Sequence, residues 1–387
     1  MLMGEGSSEF LMEVTQSCFP LVNCTSHEFH GLTKAGNFGE SQLGTTPPTL
    51  NAILIAIPTF FIVIGTIAGN LLVCVAIIHS RQLRLNITNS FCASLAVSDL
   101  LLGLFVLPFS FGKLLTNSWI LGSTVCNLYI CLDVFLSTAS ILNLFVVSID
   151  RYYAITRPLL YRSIITKRTA ILMLTAVWIL SALIAFVPIY SGWNTSDGRV
   201  QNVDEASSHN CVFLVETLPY SITIGIGTFY IPLIVLYIMY MKILTISYGH
   251  VKQIRAQTYI SKECIPKDDG HHHRHRTHSH THILRQHRAT ITLFIIVGAF
   301  TACWLPYFTC FTVNPLDAIQ IHPVVEEVFL WMGYSNSCIN PFVYGMTNRE
   351  YRAAFRRLLC NWRKRESKYS ISQSHTDHHG ESDNICM

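Results

Sequence analysis

Asp99 and Asp133 are carboxylates in stretches of sequence whose deep interior holds no other charged side chain, and no Lys, Arg or His accompanies either one. A charge among apolar groups is expensive unless it faces a packed interior or a water-filled cavity and finds a partner there. Two chemistries are open to such an acid: it stays protonated against neighbouring hydroxyls, or it remains an anion and binds a cation from outside the chain. Around Asp133, other apolar stretches supply Trp304, Tyr307, Phe308 and Tyr334, with Trp331 as a further wall or as packing. Aromatic faces attract cations, most strongly where water is excluded. An acid with such a cage fits a protonated amine. Near Asp99, the polar residues Asn70, Ser140, Asn336, Ser337 and Asn340 fall at compatible depths and suit a small hydrated cation, Na+, as the one candidate cofactor. No nucleophile with a base and no metal-ligand set lies in these stretches, so the chain does not read as an enzyme.

The elements that must position these acids follow from the distribution of charge. Charged residues make up 13% of the 387, where soluble domains carry about 25%. Apolar windows run over residues 50 to 79, 88 to 112, 123 to 149, 169 to 191, 217 to 241, 289 to 314 and 324 to 346. Each is long enough for a helix to cross about 30 Å of hydrocarbon, which takes about 20 residues. The predicted fold is an all-α membrane protein: a seven-transmembrane helix bundle over 50–346, a short amphipathic helix over 347–360, and tails at 1–49 and 361–387. Residues 242–288 form a polar loop in which His271 to His282 is a low-complexity, His-rich run with no assigned function. Arg81, Arg84, Arg157, Arg162, Lys167 and Arg168 lie in two alternate connections. Bases near short loops prefer the cytoplasm, so the amino terminus is predicted outside, on a multi-pass protein of the plasma membrane. The net charge of +4 is too small to argue for a nucleic-acid partner; the expected surroundings are membrane lipid.

Depth along the third window separates two functions. Asp133 lies seven residues, about 10 Å, inside Cys126, and Asp150 and Arg151 follow about 27 Å further on, at the inner edge. Cys126 and Cys211 both fall on the outer face, where an oxidising compartment lets them pair and pin the second outer loop over the bundle. Cys18 and Cys24 pair with each other or stay free. Asn23 and Asn194 head glycosylation sequons on the outer side, and Asn86 heads one inside that should stay bare. Cys360, just after the last amphipathic stretch, is a candidate for S-palmitoylation. Pro108, Pro188, Pro232, Pro306 and Pro341 interrupt their windows and mark kinks.

Gly69-Asn70, Leu95-Ala96-Val97-Ser98-Asp99, Asp150-Arg151-Tyr152, Trp178, Pro232 with Tyr240, Phe300, Cys303-Trp304-Leu305-Pro306 and Asn340-Pro341-Phe342-Val343-Tyr344 occur in that order. Together they resemble the rhodopsin-like (class A) G-protein-coupled receptors over roughly residues 50 to 360. Asp133 and Trp331-Met332-Gly333-Tyr334 are similar to the biogenic-amine subfamily. Thr138 to Leu144, Gly192-Trp193-Asn194, Thr228-Phe229-Tyr230 and Pro306 to Thr309 most resemble its type 2 histamine branch. The resemblance implies an amine ligand on Asp133, Ser137, Thr138, Thr228, Trp304, Tyr307, Phe308 and Tyr334, and an activation switch at Asp150, Arg151, Tyr152, Tyr240 and Tyr344. It also implies apolar contacts from Pro158 and Leu159 to a heterotrimeric G protein of the Gs, cyclase-stimulating type, with arrestin and receptor kinases as further partners. A transporter or channel would use lone acids too, but would show internal repeats or several lining charges.

Two positions depart from that pattern. Ile224 stands where the histamine branch places an acid, one turn before Thr228, which leaves Thr228, with Thr223 or Ser137, as the polar handle and brings serotonin, octopamine, tyramine and trace amines into play. Gln286 stands where amine receptors commonly place an acid that holds the inner arginine, so a charge-assisted bond to Arg151 is lost. Basal signalling is therefore expected to be raised, and Gln286→Glu to lower it. Ligand-free cyclic AMP compared at matched surface expression checks this, and equal basal levels would sink the idea.

Overall fold

The computed structural model describes residues 50–203, 211–263, 295–316 and 321–360. Asn23, Cys18, Cys24, Gln286 and the tract from His271 to His282 lie outside the described residues, and the expectations placed on them stop at the sequence. Among the described residues, six helices are long and apolar enough to span a membrane: Ile55–His79, Ile87–Thr116, Gly122–Thr156, Lys167–Tyr190, Leu218–Ile246 and Ile295–Val313. The seventh, Pro323–Thr347, has 25 residues. It is more polar than its window suggested, because Glu326 and Glu327 open it and Ser335, Asn336, Ser337 and Asn340 interrupt its middle. These last three of its polar residues are buried, while Phe61, Ile171, Leu172 and Met241 on other helices are exposed. Polar groups inside and bare apolar side chains outside are what a bundle in hydrocarbon requires.

The third spanning helix, Gly122–Thr156, has 35 residues and at 1.5 Å per residue is about 52 Å long, well beyond the hydrocarbon. Most of its length is buried, including Leu136, Ser137, Thr138, Ser140, Ile141, Asn143, Leu144 and Asp150. The second helix is broken at Val106, and Pro108 opens the continuation Leu107–Thr116, as a residue without an N–H does best in a first turn. Trp178 of the fourth helix donates to Ser94 Oγ of the second at 3.0 Å. Gly69 lets the first helix meet the seventh: a Cβ there would stand 2.8 Å from the ring of Pro341.

The fifth helix is built in three pieces. Leu218–Gly225 is α-helical, Ile226–Tyr230 is a π-turn, and Ile231–Glu263 resumes the α-helix. Ile231 N–H donates to Ile226 O, five residues back. Pro232 explains the irregularity, since it has no N–H for the carbonyl of Thr228 and its ring crowds that carbonyl. The helix continues to Glu263, so the first part of the segment expected as a polar loop from residue 242 is helical. Residues 349–360 form the last helix. Tyr351, Ala354, Phe355 and Leu358 pack inward while Arg352, Arg356 and Arg357 are exposed, the i, i+3, i+4, i+7 stripe of an amphipathic helix.

The loop before the fifth helix folds back through Cys211, which is bonded to Cys126 with Cα atoms 5.6 Å apart. Gly192, at φ +67°, has no room for a side chain because a Cβ would come within 2.5 Å of the Gly198 backbone. Asn194 corrects the sequon reading. It is fully buried, and its Nδ2 donates to Gln201 Oε1 at 3.0 Å and to Leu214 O at 2.9 Å. That nitrogen is the one a glycan would occupy, so Asn194 is a structural amide of the loop and the site is closed to sugar in this fold. Asn194→Gln is therefore expected to leave glycosidase-sensitive gel mobility unchanged while lowering surface expression, because the longer side chain cannot repeat both bonds. A mobility shift on this substitution would show that the asparagine is accessible and glycosylated.

Candidate functional site

Asp133 is held by two donors. Tyr334 of the seventh helix donates its hydroxyl to Oδ2 at 2.7 Å, and Ser137, one turn on, donates to Oδ1 at 3.3 Å. Tyr334 is fully buried and is braced edge-on by Trp331, with ring centres 5.5 Å apart. The carboxylate opens on a cleft of about 450 Å³ of empty space, counting the part that opens to solvent. Ser137, Thr138, Thr228, Trp304, Tyr307 and Phe308 line it, as expected from the sequence. Tyr334 is not part of that lining, and its contact with the site is the hydrogen bond to the Asp133 carboxylate. Thr223 is exposed and is absent from the lining, which removes it as a polar handle.

Trp304 closes the inner side of the cleft against the seventh helix. A Cβ on Gly333 would stand 2.7 Å from Cζ3 of the indole, so only glycine lets the ring lie flat there. Phe308 stacks on Phe229 with centroids 4.4 Å apart and planes at 4°, and Phe229 meets Phe300 at 5.8 Å. Aromatic pairs of this kind contribute about 1 kcal/mol each beyond burial, so the sixth helix is tied to the fifth below the cleft. Ile224 lines the wall, and Thr228 Oγ donates to its carbonyl at 2.6 Å. Val134, Ile141, Phe213, Tyr220, Phe311 and Leu330 complete the lining, and of these Phe213, Tyr220, Phe311 and Leu330 were not singled out from the sequence. Phe213 sits two residues past Cys211 and is brought over the cleft by the disulfide, a long-range effect with no local signal.

Asp99 is fully buried. Oδ1 accepts from Ser140 Oγ at 2.7 Å and Ser337 Oγ at 2.9 Å, and Oδ2 accepts from Asn340 Nδ2 at 2.9 Å. Asn70 joins through Ser337, donating to its carbonyl at 3.0 Å. Asn336 is buried nearby in sequence but makes no bond to Asp99, and its Nδ2 has no partner among the described residues. Asn70 Oδ1 and Thr66 Oγ are likewise buried without partners. A carboxylate, two hydroxyls and an orphaned amide oxygen in one region fit a small cation held by oxygen.

At the opposite end from the disulfide, Asp150 is fully buried and gathers four donors. Arg151 Nη2 and Nε lie 2.6 Å and 2.9 Å from Oδ2, Thr88 Oγ donates to Oδ2 at 2.9 Å, and Tyr161 OH donates to Oδ1 at 2.6 Å. Arg151 also contacts Thr88. Burial and the bond to Asp150 push the Tyr161 phenol above its ordinary range, so it stays a donor. Tyr161 was not anticipated; it lies on the short helix Pro158–Ile164, whose Leu159 is 96% exposed. Tyr152 meets Tyr153 edge-on at 5.6 Å. Tyr240 and Tyr344 are buried with hydroxyls that have no partner among the described residues. Tyr344 stacks on Tyr351 at 5.5 Å. Cys360 is exposed.

Seven spanning helices, a buried acid below a disulfide-pinned loop and an arginine–aspartate pair at the far end are the frame of a membrane receptor of the seven-helix type. The pattern of the family described as 7 transmembrane receptor (rhodopsin family) matches residues 69–344, and the chain belongs to that family, which is one of receptors and not of enzymes. It is 37% identical to the histamine H2 receptor of Cavia porcellus over 323 residues, covering 82% of this chain and 84% of that one. It is 38% identical to the histamine H2 receptor of Homo sapiens over 309 residues, 80% of each. Against the 5-hydroxytryptamine receptor 4 of Homo sapiens the identity is 38% over 310 residues, 77% of each.

Proposed function

We propose that this chain is a plasma-membrane receptor, amino terminus outside, that binds a biogenic amine and signals through a heterotrimeric G protein of the Gs type. The observation that carries the reading is the Asp133 carboxylate, oriented by Tyr334 and Ser137 on the wall of an aromatic cleft. An ammonium group entering the cleft meets a charge-assisted acceptor and the faces of Trp304, Tyr307 and Phe308. The similarity to histamine and 5-hydroxytryptamine receptors supports a biogenic amine as the ligand. Ile224 in the wall favours a ligand whose far end does not need an acid, so serotonin, octopamine, tyramine and trace amines stand beside histamine.

Binding changes signalling only if the ligand prefers one arrangement of the helices. Trp304 and Phe308 touch the ligand and each other, and Phe308 stacks on Phe229 of the fifth helix, which also meets Phe300 of the sixth. Repacking there, with Ile141 and Pro232, swings the inner end of the sixth helix outward. Arg151 then leaves Asp150 and Thr88, Tyr240 and Tyr344 turn into the opened cleft, and the G protein docks, with Pro158 and Leu159 as apolar contacts. Arrestin and receptor kinases would follow on the same face, with a palmitoyl group on Cys360 holding the last helix to the bilayer. Removing one partner of a buried, hydrogen-bonded ion pair costs about 2–5 kcal/mol. Asp133→Ala should accordingly shift amine potency by about 100-fold or more at unchanged surface expression, scored by cyclic AMP across an amine panel. A response preserved in that variant would remove the central claim.

Asp99, Ser140, Ser337 and Asn340, with Asn70 and Asn336 around them, would hold Na+ when it is bound. The ion would supply the positive charge that the buried carboxylate lacks, so it favours the arrangement in which these side chains stay together. Asp99→Asn is expected to abolish the effect of replacing external Na+ with a large organic cation on agonist affinity. A sodium effect that survives the substitution would place the ion elsewhere.

A further inference from the structure

We infer that the Tyr351 hydroxyl is a latch on the resting arrangement. Bonded to Asn89, it fastens the last helix to the second helix and, through Asn89, to the first inner loop, and so fixes the ring on which Tyr344 rests. The inference rests on the proposed signalling cycle, in which Tyr344 leaves its present place when the inner face opens. The polar end of Tyr344 gives no hold there, since its buried hydroxyl has no partner among the described residues. Its ring lies on Tyr351 with centroids 5.5 Å apart and planes at 25°. How firmly Tyr344 is kept therefore depends on how firmly Tyr351 is kept.

Tyr351 is 1% exposed, and Phe355 braces its ring edge-on at 6.0 Å. Its hydroxyl donates to Asn89 Oδ1 on the second helix at 3.3 Å. Asn89 is itself buried, and its Nδ2 donates to Leu83 O at 2.9 Å. Leu83 is the buried residue of the short helix Arg81–Arg84, so the bonds run from the last helix through the second to the first inner loop. A second bond, from Gln82 Nε2 to Glu350 Oε1 at 3.1 Å, joins that loop to the last helix at the surface. The two bonds differ in weight. Water can take the place of either partner in the exposed one, whereas parting Tyr351 from Asn89 strands a hydroxyl and an amide oxygen in a dry interior. The buried bond therefore favours the arrangement with Tyr351 in place and Tyr344 stacked on it over any in which the two rings part or shift together. A phenylalanine would offer the same ring and no bond, so it is the hydroxyl that adds the restraint.

Tyr351→Phe keeps the ring and its stacking and removes the hydroxyl alone. The purified full-length receptor, with no ligand, is offered a panel of G-protein α-subunits and nucleotide loading is followed, so that no choice of G protein is presumed. Losing one hydrogen bond of this kind should raise ligand-free loading about three- to tenfold. Hydrogen–deuterium exchange in residues 349–360 should quicken in the same variant, because the last helix has lost its buried anchor. Asn89→Ala should act in the same direction, and adding Tyr351→Phe to it should change nothing more, since both remove one bond. If Asn89→Ala fails to fold, Tyr351→Phe decides by itself. Ligand-free loading that stays equal or falls in Tyr351→Phe overturns the latch, as do unaltered hydrogen exchange and effects that add in the double variant. Silence of both proteins toward every α-subunit, with a panel of amines present as well as absent, is a different failure: it removes the signalling reading, and the latch with it.

Discussion

A carboxylate cannot sit in hydrocarbon alone, and the third spanning helix is organised around that restriction. It carries Asp133 and Asp150 and lends Ser140 to Asp99. Each acid is met by donors from other helices: Tyr334 for Asp133, Ser337 and Asn340 for Asp99, Thr88 and Tyr161 for Asp150. Hydrogen bonds to charged groups contribute about 1.5–3 kcal/mol each, comparable to the cost of inserting one charge. The three acids thus do more than survive burial. They specify which helices the third must touch and at what depth, because only one register brings every donor to its acceptor.

The disulfide extends the same helix beyond the bundle. Asn127, next to Cys126, donates to Gln201 O at 2.7 Å and accepts from Asn202 at 3.3 Å, so the outer loop is sewn to the third helix by amides as well as by sulfur. Asn194 and Gln201 hold the loop from within, and Phe213 is the side chain that this arrangement delivers to the cleft. The walls of the cleft come from the spanning helices, but part of its roof is set by the loop.

Scarcity made the two central acids readable from sequence, since a charge among apolar residues has few explanations. The windows, the Cys126–Cys211 pair and the Ser140, Ser337 and Asn340 contacts to Asp99 followed from depth and residue type. What was misread depended on direction or on distant contacts. Tyr334 has the residue type of a cage wall, and its hydrogen bond to the Asp133 carboxylate across 201 residues of sequence shows only in the fold. Asn194 satisfies a three-residue pattern, while its burial is decided by Gln201 and Leu214. Phe213, Tyr220 and Phe311 are aromatics among many, and nothing in their immediate sequence separates a cleft wall from lipid-facing packing. The helix beyond residue 241 was missed because polar composition was equated with loop, although a helix leaving the membrane needs no apolar face.

The π-turn at Ile226–Tyr230 adds one residue to a single turn of the fifth helix, and one residue is about 100° of rotation. Tyr220 and Ile224, on the disulfide side of it, face the cleft only with that extra residue in place. Shortening the turn by one would carry both side chains off the wall and turn their neighbours in, without altering a single residue that touches the ligand. The recognition surface of this helix is therefore set by a count as much as by a composition: two related chains with the same residues on either side of the turn would present different faces if they differed by one residue within it.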